Sequence, residues 1–337
     1  MKQDERRILV TGGAGFIGSN FVNFVMSQRP NWRIVNLDAL TYAGNLANLT
    51  DVSDNPNYEF IHGDIRDRQA VVKALSGCDS VVHFAAESHV DRSIADASPF
   101  VSTNVLGTQV MLDACREVGT IERFVHIGTD EVYGDLPLDR PDLLFTEQTP
   151  LKPSSPYSAS KAAADLLALS FQQTFDLPVM VTRCSNNFGP KQFPEKVIPL
   201  FVTNLIDSLK VPLYGDGLNV RDWLHVTDHC EAVLGVLERG RVGEVYNIGG
   251  NNERSNVDLT HTILELLGCS KDMIQPVEDR LGHDRRYAID SSKIKAELGW
   301  QPTRSAWPDA LAETINWYKA NESWWRPLKE KAAQGVA

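Results

Sequence analysis

Two acidic side chains follow a hydroxyl in the stretch GTDEVYG at residues 128–134. The hydroxyl belongs to Thr129, and the acids are Asp130 and Glu131. Adjacent carboxylates repel each other, and burial can push their pKa values apart. Such a pair suits a general acid and a general base that act on one substrate. The alternative at this point is a solvated loop that carries two acidic residues.

A second pair, Tyr157 and Lys161, stands four residues apart. At about 3.6 residues per helical turn, this spacing places both side chains on one helix face. A lysine ammonium beside a phenol favours the phenolate and lowers the pKa of the tyrosine. The pair is therefore predicted to remove a proton from a substrate hydroxyl. The alternative is an ordinary surface pair on a helix.

Glycines at positions 12, 13, 15 and 18 follow an apolar run at residues 7–11 and precede an amphipathic segment. This arrangement of strand, glycine turn and helix lets backbone N–H groups approach a pyrophosphate. A second predicted strand ends in Asp38, whose carboxylate can accept a hydrogen bond from a ribose hydroxyl. No arginine follows Asp38 to bind a 2′-phosphate, which favours NAD over NADP. The alternatives are a plain turn and an aspartate that caps a strand end.

Short apolar runs alternate with helical patterns along the first half of the chain. This alternation predicts an α/β fold with a doubly wound parallel sheet. Ligands bind at the carboxyl ends of such strands, where the acidic pair and the small residues Ala85 and Ala86 lie. The predicted strands cover residues 7–11, 33–37, 58–62, 79–84, 123–127 and 178–183, and a further strand at 244–249 returns to the sheet.

The chain has 337 residues and a formal net charge of -11. This charge argues against a surface for nucleic acid or anionic membranes. No apolar run approaches the roughly 20 residues that a membrane span requires, and the charged start predicts no signal peptide. The cysteines are scattered without metal-ligand spacing, so we expect no metal and a cytoplasmic protein with reduced thiols. They are Cys78, Cys115, Cys184, Cys230 and Cys269.

Two predicted helices, at residues 104–118 and 162–175, are apolar all round. A helix without a polar face must be covered on two sides. One side is the sheet. We expect the other side to be a partner subunit, in a homodimer that forms through a four-helix bundle.

Taken together, these motifs resemble the extended short-chain dehydrogenase/reductase superfamily of NAD-dependent epimerases and dehydratases over nearly the full chain. The specific marks within it are FAAESHVDRS at 84–93, GTDEVYG at 128–134, PSSPY at 153–157 and RDWLHV at 221–226. On these stretches the chain is most similar to the dTDP-glucose 4,6-dehydratases. Related epimerases lack both carboxylates, and related decarboxylases usually carry Ser-Glu.

The resemblance implies a hydro-lyase that converts dTDP-glucose to dTDP-4-keto-6-deoxyglucose. C4 is oxidised, water is eliminated across C5 and C6, and the hydride returns from tightly bound NAD to C6. Tyr157 and Lys161 would serve the C4 step, with Thr129 hydrogen-bonded to the C4 oxygen. Glu131 would remove the C5 proton, and Asp130 would protonate the leaving oxygen.

The resemblance also implies the binding residues and the domains. Residues 1–190 would form an NAD-binding Rossmann domain to which about 220–250 return, and 191–219 with 251–337 a smaller, discontinuous nucleotide-sugar lobe. The implied cofactor residues are Gly12, Gly15, Phe16, Ile17, Gly18, Asp38, Leu40, Thr41, Asp64, Ile65, Ala85, Ala86, Ser88, Thr103, Tyr157, Lys161 and Asn187. The implied substrate residues are His89, Thr129, Asn186, Lys196, Val197, Pro212, Tyr214, Arg221, Asn256, Arg280 and His283.

In an acidic chain, the cationic residues of that lobe predict a clamp for a substrate diphosphate, although each arginine alone could be surface charge. They are Lys196, Arg221, Arg254, Arg280, Arg285 and Arg286. Two residues depart from the family pattern: Leu281 stands where proline is usual, and Phe188 where tyrosine is common.

Two alternatives remain at this stage. One is another nucleotide-sugar dehydratase, decarboxylase or epimerase of the same superfamily. GDP-mannose dehydratases generally use NADP, which Asp38 disfavours. The other is a regulatory dinucleotide-binding protein that has lost catalysis, but such proteins usually lose the tyrosine or the lysine.

Overall fold

The computed structural model describes residues 5–333. The strands are β1 (Arg7–Thr11), β2 (Arg33–Asp38), β3 (Tyr58–His62), β4 (Ser80–His83), β5 (Arg123–Thr129), β6 (Val179–Cys184), β7 (Asn186–Phe188), β8 (Val211–Tyr214), β9 (Val220–His225), β10 (Val245–Ile248), β11 (Glu253–Ser255) and β12 (Ile274–Val277). The α-helices are α1 (Phe16–Gln28), α2 (Arg68–Leu75), α3 (Val90–Ala95), α4 (Ser98–Phe100), α5 (Thr108–Val118), α6 (Pro156–Phe175), α7 (Val197–Ile206), α8 (Val226–Arg239), α9 (Asn256–Leu267), α10 (Ser292–Leu298), α11 (Asp309–Ala320) and α12 (Glu322–Ala333).

Seven strands form one parallel sheet in the order β10-β6-β5-β4-β1-β2-β3. The strand order reverses between β1 and β4, which is the switch point where such sheets bind ligands. The predicted doubly wound α/β fold is therefore confirmed, and so is the returning strand, which pairs as β10 with β6.

The sheet is buried on both faces, which explains why its strands are nearly continuous apolar runs. Ile8 and Val10 of β1 belong to the core cluster that also contains the apolar residues of α1 and α8. Leu9, between them, belongs to the cluster on the other face, with residues of α2, α5 and α6. Successive side chains of a strand point to opposite faces of the sheet, so each strand contributes to both core clusters.

A third core cluster contains residues of α7, α9, α11 and α12 and includes the fully buried Trp325. Beside it lie a three-stranded sheet, β11-β9-β7, and a two-stranded sheet, β12-β8. Strand β9 therefore belongs to a small sheet. The rest of residues 220–250 returns to the large sheet: α8 packs against it, and β10 is one of its strands.

A π-helix at Val101–Gly107 precedes α5, where the sequence predicts one α-helix from residue 104. Thr103 and the fully buried Asn104 lie in this segment. Single π-helical turns are often found at functional sites. Within residues 5–333, no helix is both long and apolar enough to cross a membrane.

Candidate active site

The glycine turn joins β1 to α1 and is packed too closely for side chains. A Cβ on Gly18 would lie 2.2 Å from the carbonyl oxygen of Gly12, and Gly12 has a φ of +70°. Gly15 is the N-cap of α1 and has no side chain that could bond to the first N–H groups of the helix. These N–H groups are available to a phosphate, as a dinucleotide site requires.

Asp38 ends β2 beside this turn. One carboxylate oxygen accepts a hydrogen bond from the N–H of Ala14 at 2.8 Å, and the other accepts from the N–H of Leu40 at 2.8 Å. Burial raises the pKa of Asp38, while these hydrogen bonds lower it. Each oxygen keeps a second lone pair, so the carboxylate can cap the backbone and also accept from a ribose hydroxyl.

A cavity of 440 Å³ begins at the glycine turn and reaches the acidic pair, and we call it the central cavity. All but one of the predicted cofactor residues line it. Leu40 is the exception: its side chain packs against the core cluster that contains the apolar residues of α1 and α8. The lining cofactor residues are Gly12, Gly15, Phe16, Ile17, Gly18, Asp38, Thr41, Asp64, Ile65, Ala85, Ala86, Ser88, Thr103, Tyr157, Lys161 and Asn187.

The acidic pair lies at the far end of the central cavity. Asp130 is 1% exposed, and its Oδ2 has no hydrogen-bond partner among the described residues. Burial, and then the charges of Glu131 and Asp222, raise the pKa of Asp130 well above its usual value. The solvated-loop alternative is therefore wrong, and burial favours the protonated form of Asp130.

Glu131 differs from its neighbour in its electrostatic surroundings. Burial raises its pKa too, but the positive charges of Arg221, Arg280 and Lys196 lower it. The pKa of Glu131 is still raised overall, but the cations oppose that rise, so the surroundings favour a proton on Asp130 more than on Glu131. This is the separation that an acid and a base at one site require.

Tyr157 and Lys161 lie in the first two turns of α6, which begins at Pro156 behind a capping box at Ser155. Tyr157 is 8% exposed and Lys161 is 5% exposed, so the surface-pair alternative is wrong. The Lys161 ammonium donates a hydrogen bond to the carbonyl of Ile127 at 2.6 Å.

The predicted lowering of the pKa of Tyr157 is wrong for the protein alone. Burial, followed by the charge of Glu131, raises this pKa well above its usual value, and a hydrogen bond with Thr129 opposes the rise. Burial also lowers the pKa of Lys161. The sequence shows which groups are neighbours but not how deeply they are buried, and burial decides the direction here.

A buried network supports α6 behind Lys161. Arg183 and Asp165 form an ion pair at 2.8 Å, and Arg183 also donates to the Tyr133 hydroxyl at 3.0 Å. That hydroxyl donates to Oδ1 of Asn247 at 2.8 Å. The network connects α6 to β6, β10 and the segment after β5, so the elements that carry the catalytic pairs are held together.

Three cations lie on the Glu131 side of the cavity. Lys196 donates to the Ser88 carbonyl at 2.9 Å. Arg221 is 6% exposed, and its guanidinium lies 4.3 Å from the ring centre of Tyr287. Arg280 pairs with an acidic residue of α3 at 3.2 Å.

The other predicted cations have structural contacts. Arg285 pairs with Asp216, Arg286 pairs with Glu253, and Arg254 lies over a tryptophan ring. Only part of the predicted cationic cluster therefore faces the acidic pair.

The predicted substrate residues divide into three groups, and only the first lines the central cavity. Thr129, Asn186 and Lys196 line the central cavity. Burial lowers the pKa of His89 to about 4, and the charges of Lys196 and Arg280 lower it too. Burial also lowers the pKa of His283, as do the charges of Arg280 and Arg221. The remaining predicted residues are outside the lining, in the lobe around the third core cluster: Val197, Pro212, Tyr214 and Asn256.

Several residues that the sequence analysis did not select also line or border the site. Tyr42, Phe193 and Glu195 line the central cavity, as does Cys184. Tyr287 supports Arg221 and is 3% exposed. Glu195 could have been selected from the sequence, because it directly precedes Lys196. Tyr42, Phe193, Cys184 and Tyr287 follow no recognisable spacing. Among residues 5–333, no three potential ligands are grouped to hold a metal.

The model of the GDP-mannose 4,6 dehydratase family matches residues 9–308 of the chain. The chain belongs to this family. Its curated relatives include a dTDP-glucose 4,6-dehydratase from Streptomyces antibioticus, which is 54% identical over 335 residues that cover 98% of this chain and 97% of the relative.

Solved structures agree with this assignment. The dTDP-glucose 4,6-dehydratase DesIV from Streptomyces venezuelae, solved with NAD bound, has a TM-score of 0.92 and 51% identity over 96% of this chain and 99% of that chain. The UDP-glucose 4-epimerase of Thermus thermophilus has a TM-score of 0.85 but only 29% identity, over 94% of this chain and 99% of that chain. The epimerase shares the fold of this chain, but the dehydratase is closer to it in sequence identity.

Proposed function

We propose that the chain dehydrates dTDP-glucose to dTDP-4-keto-6-deoxyglucose with NAD as its cofactor. The observation that carries this proposal is that the acidic pair Asp130 and Glu131 lines the same cavity as Tyr157 and Lys161. An epimerase needs the tyrosine and lysine but has no elimination step that would use an acid and a base. The curated relative from Streptomyces antibioticus supports dTDP-glucose over a GDP-sugar.

The residues at the glycine turn fit NAD, because free N–H groups face the cavity and Asp38 lies beside them. When bound, NAD would supply reversible hydride transfer: the hydride leaves C4 and later returns to C6 as C5 regains a proton. Tyr157 removes the proton of the C4 hydroxyl, and the Thr129 hydroxyl hydrogen-bonds the C4 oxygen. Burial disfavours the phenolate form of Tyr157. A positive charge on Lys161, four residues further along α6, would favour that form.

The C4 ketone acidifies the proton on C5, and the acidic pair then completes the elimination. Glu131, whose charged form is favoured by the nearby cations Arg221, Arg280 and Lys196, removes the C5 proton. Asp130, kept neutral by burial, gives its proton to the departing C6 oxygen. Such proton transfers contribute roughly 10²–10⁴-fold each to the rate.

The substrate assignment is tested with dTDP-glucose, UDP-glucose and GDP-mannose in parallel. Mass spectrometry should show the loss of one water from dTDP-glucose at a much higher kcat/KM than from the other two. Preferential dehydration of GDP-mannose would overturn the dTDP assignment, and inversion at C4 without loss of water would make the chain an epimerase.

We further propose that residues 191–219 and 251–337 form the nucleotide-sugar lobe and that 1–190 form the NAD-binding domain. The termini of these ranges, residues 1–4 and 334–337, lie outside the described residues. The third core cluster supports this division, because it gives the lobe an apolar core apart from the two cores of the large sheet. The cations Arg221 and Arg280 would then bind the diphosphate from the lobe side.

The proposed assembly is a homodimer through a four-helix bundle of α5 and α6 from each chain. Leu106 is 54% exposed just before α5, and Leu166 on α6 is 57% exposed. A Leu166→Glu variant should therefore have the light-scattering mass of one chain. A Leu209→Glu variant, at another exposed leucine, should keep the mass of two, and a monomeric parent chain would refute the bundle.

We also propose a cytoplasmic location. All five cysteines are free thiols, and four of them are buried. Unpaired thiols are typical of proteins from reducing compartments.

A further inference from the structure

Three segments that are far apart in sequence meet beside the central cavity. The first is the loop at residues 39–45 after β2, which carries Tyr42. The second is α3, which carries Arg92. The third is the segment before α7, which carries Phe193 and Glu195. Tyr42, Phe193 and Glu195 line the same cavity as the glycine turn.

Arg92 joins the other two segments. Its guanidinium lies 3.9 Å from the ring centre of Tyr42 and donates a hydrogen bond to Oε2 of Glu195 at 2.9 Å. The Tyr42 ring also meets the edge of Phe193, with ring centres 5.7 Å apart. Arg92 thus makes a cation–π contact and a hydrogen-bonded ion pair at the same time.

The contact is partly buried, with the side chain of Arg92 32% exposed. The side chain of Glu195 is 11% exposed, and its Oε1 has no hydrogen-bond partner among the described residues. Burial raises the pKa of Tyr42, so the ring is uncharged when Arg92 lies over it. A partly buried pair is screened less by salt than a surface pair.

The backbone of the loop that carries Tyr42 is anchored near both of its ends. Leu40 donates its N–H to Asp38 at 2.8 Å, and the N–H of Asn45 donates to the Ala14 carbonyl at 3.0 Å. Between these anchors, the side-chain contacts of Tyr42 hold the loop against the third segment. Moving the loop away from the cavity therefore requires the contacts of Tyr42 with Arg92 and Phe193 to break.

Retention of the cofactor matters for this reaction, because the hydride removed from C4 must return to C6 of the same sugar. If the reduced cofactor left early, the oxidised sugar would remain in the site without the hydride that it needs at C6. We propose that Tyr42, Arg92 and Glu195 form a clamp that slows the release of NAD from the central cavity. This inference rests on the proposed use of NAD.

The test is an exchange experiment. The full-length protein is loaded with isotopically labelled NAD and diluted into excess unlabelled NAD, and the bound label is followed by rapid filtration. Arg92→Met and Tyr42→Leu should release label at least about tenfold faster than the parent chain, which corresponds to about 1.4 kcal/mol. Tyr42→Phe keeps the ring and should release label at the parent rate.

Arg140→Met is the matched control, since Arg140 is exposed and pairs with Asp142 on another surface. It should leave the release rate unchanged. If a clamp variant fails to fold, Glu195→Gln, which keeps the shape of the side chain, should still speed release. Release from folded clamp variants within twofold of the parent rate would overturn the clamp. Failure of the parent chain to bind any label would instead refute the proposed use of NAD.

Discussion

Replacing Asp130 by Asn should stabilise the fold while it nearly stops dehydration. The wild-type carboxyl is 1% exposed, and one oxygen has no partner among the described residues. Its raised pKa means that the folded state holds the proton more tightly than the unfolded chain does. Its contribution to stability is thus fully present below the unfolded pKa and is lost as the pH rises through the folded pKa.

The two effects have different sizes. An unpaired buried polar group costs about 1–3 kcal/mol, and Asn still leaves polar atoms there, so we expect a gain of about 1 kcal/mol. For a chain of this length, that is a rise in Tm of about 2 °C. An amide cannot donate the proton to the C6 oxygen, so dehydration should fall by roughly 10²–10⁴-fold.

The assay compares thermal unfolding of the two proteins across a pH series at saturating NAD, with product formation measured in parallel. The stability gap should widen from the ordinary aspartate pKa upward until the raised pKa is passed. Asp142→Asn is the control, because Arg140 lowers the pKa of that exposed carboxyl and the change should not stabilise the fold. A variant at 130 that is less stable than wild type at every pH, or a gap that does not change with pH, would refute the electrostatic assignment.

Two further predictions test the cavity. Gly18→Ala places a Cβ 2.2 Å from the Gly12 carbonyl and should weaken NAD binding at least about tenfold (about 1.4 kcal/mol) in a calorimetric titration, whereas Gly235→Ala, where only a flexible arginine is close, should not. Arg221→Met removes a positive charge that lowers the pKa of Glu131, so that pKa should rise. The acidic limb of the kcat profile should then move to higher pH, and a move to lower pH would contradict the role of Arg221.

Much of the fold could be predicted from local patterns. The runs that form β1 and β2 are apolar because the sheet is covered on both faces, and the glycines at the first turn are required by close packing. The acidic pair could be placed for the same reason, since it follows a buried strand.

What the sequence could not show depends on contacts between distant segments. Arg92 meets Tyr42 and Glu195 only in the folded chain, and no spacing links them. Arg286 resembles a phosphate ligand in sequence but pairs with Glu253. The pKa of Tyr157 was predicted in the wrong direction, because the depth of burial is a property of the whole fold.

The central claim is that Tyr157 serves the oxidation at C4 while Asp130 and Glu131 serve the elimination. The most direct measurement is a single turnover of dTDP-glucose by the double variant Asp130→Asn, Glu131→Gln, with the near-ultraviolet absorbance of reduced nicotinamide and the 4-keto-6-deoxy product followed together. The absorbance should rise and persist while almost no product forms. Product formation at the wild-type rate would contradict the central claim.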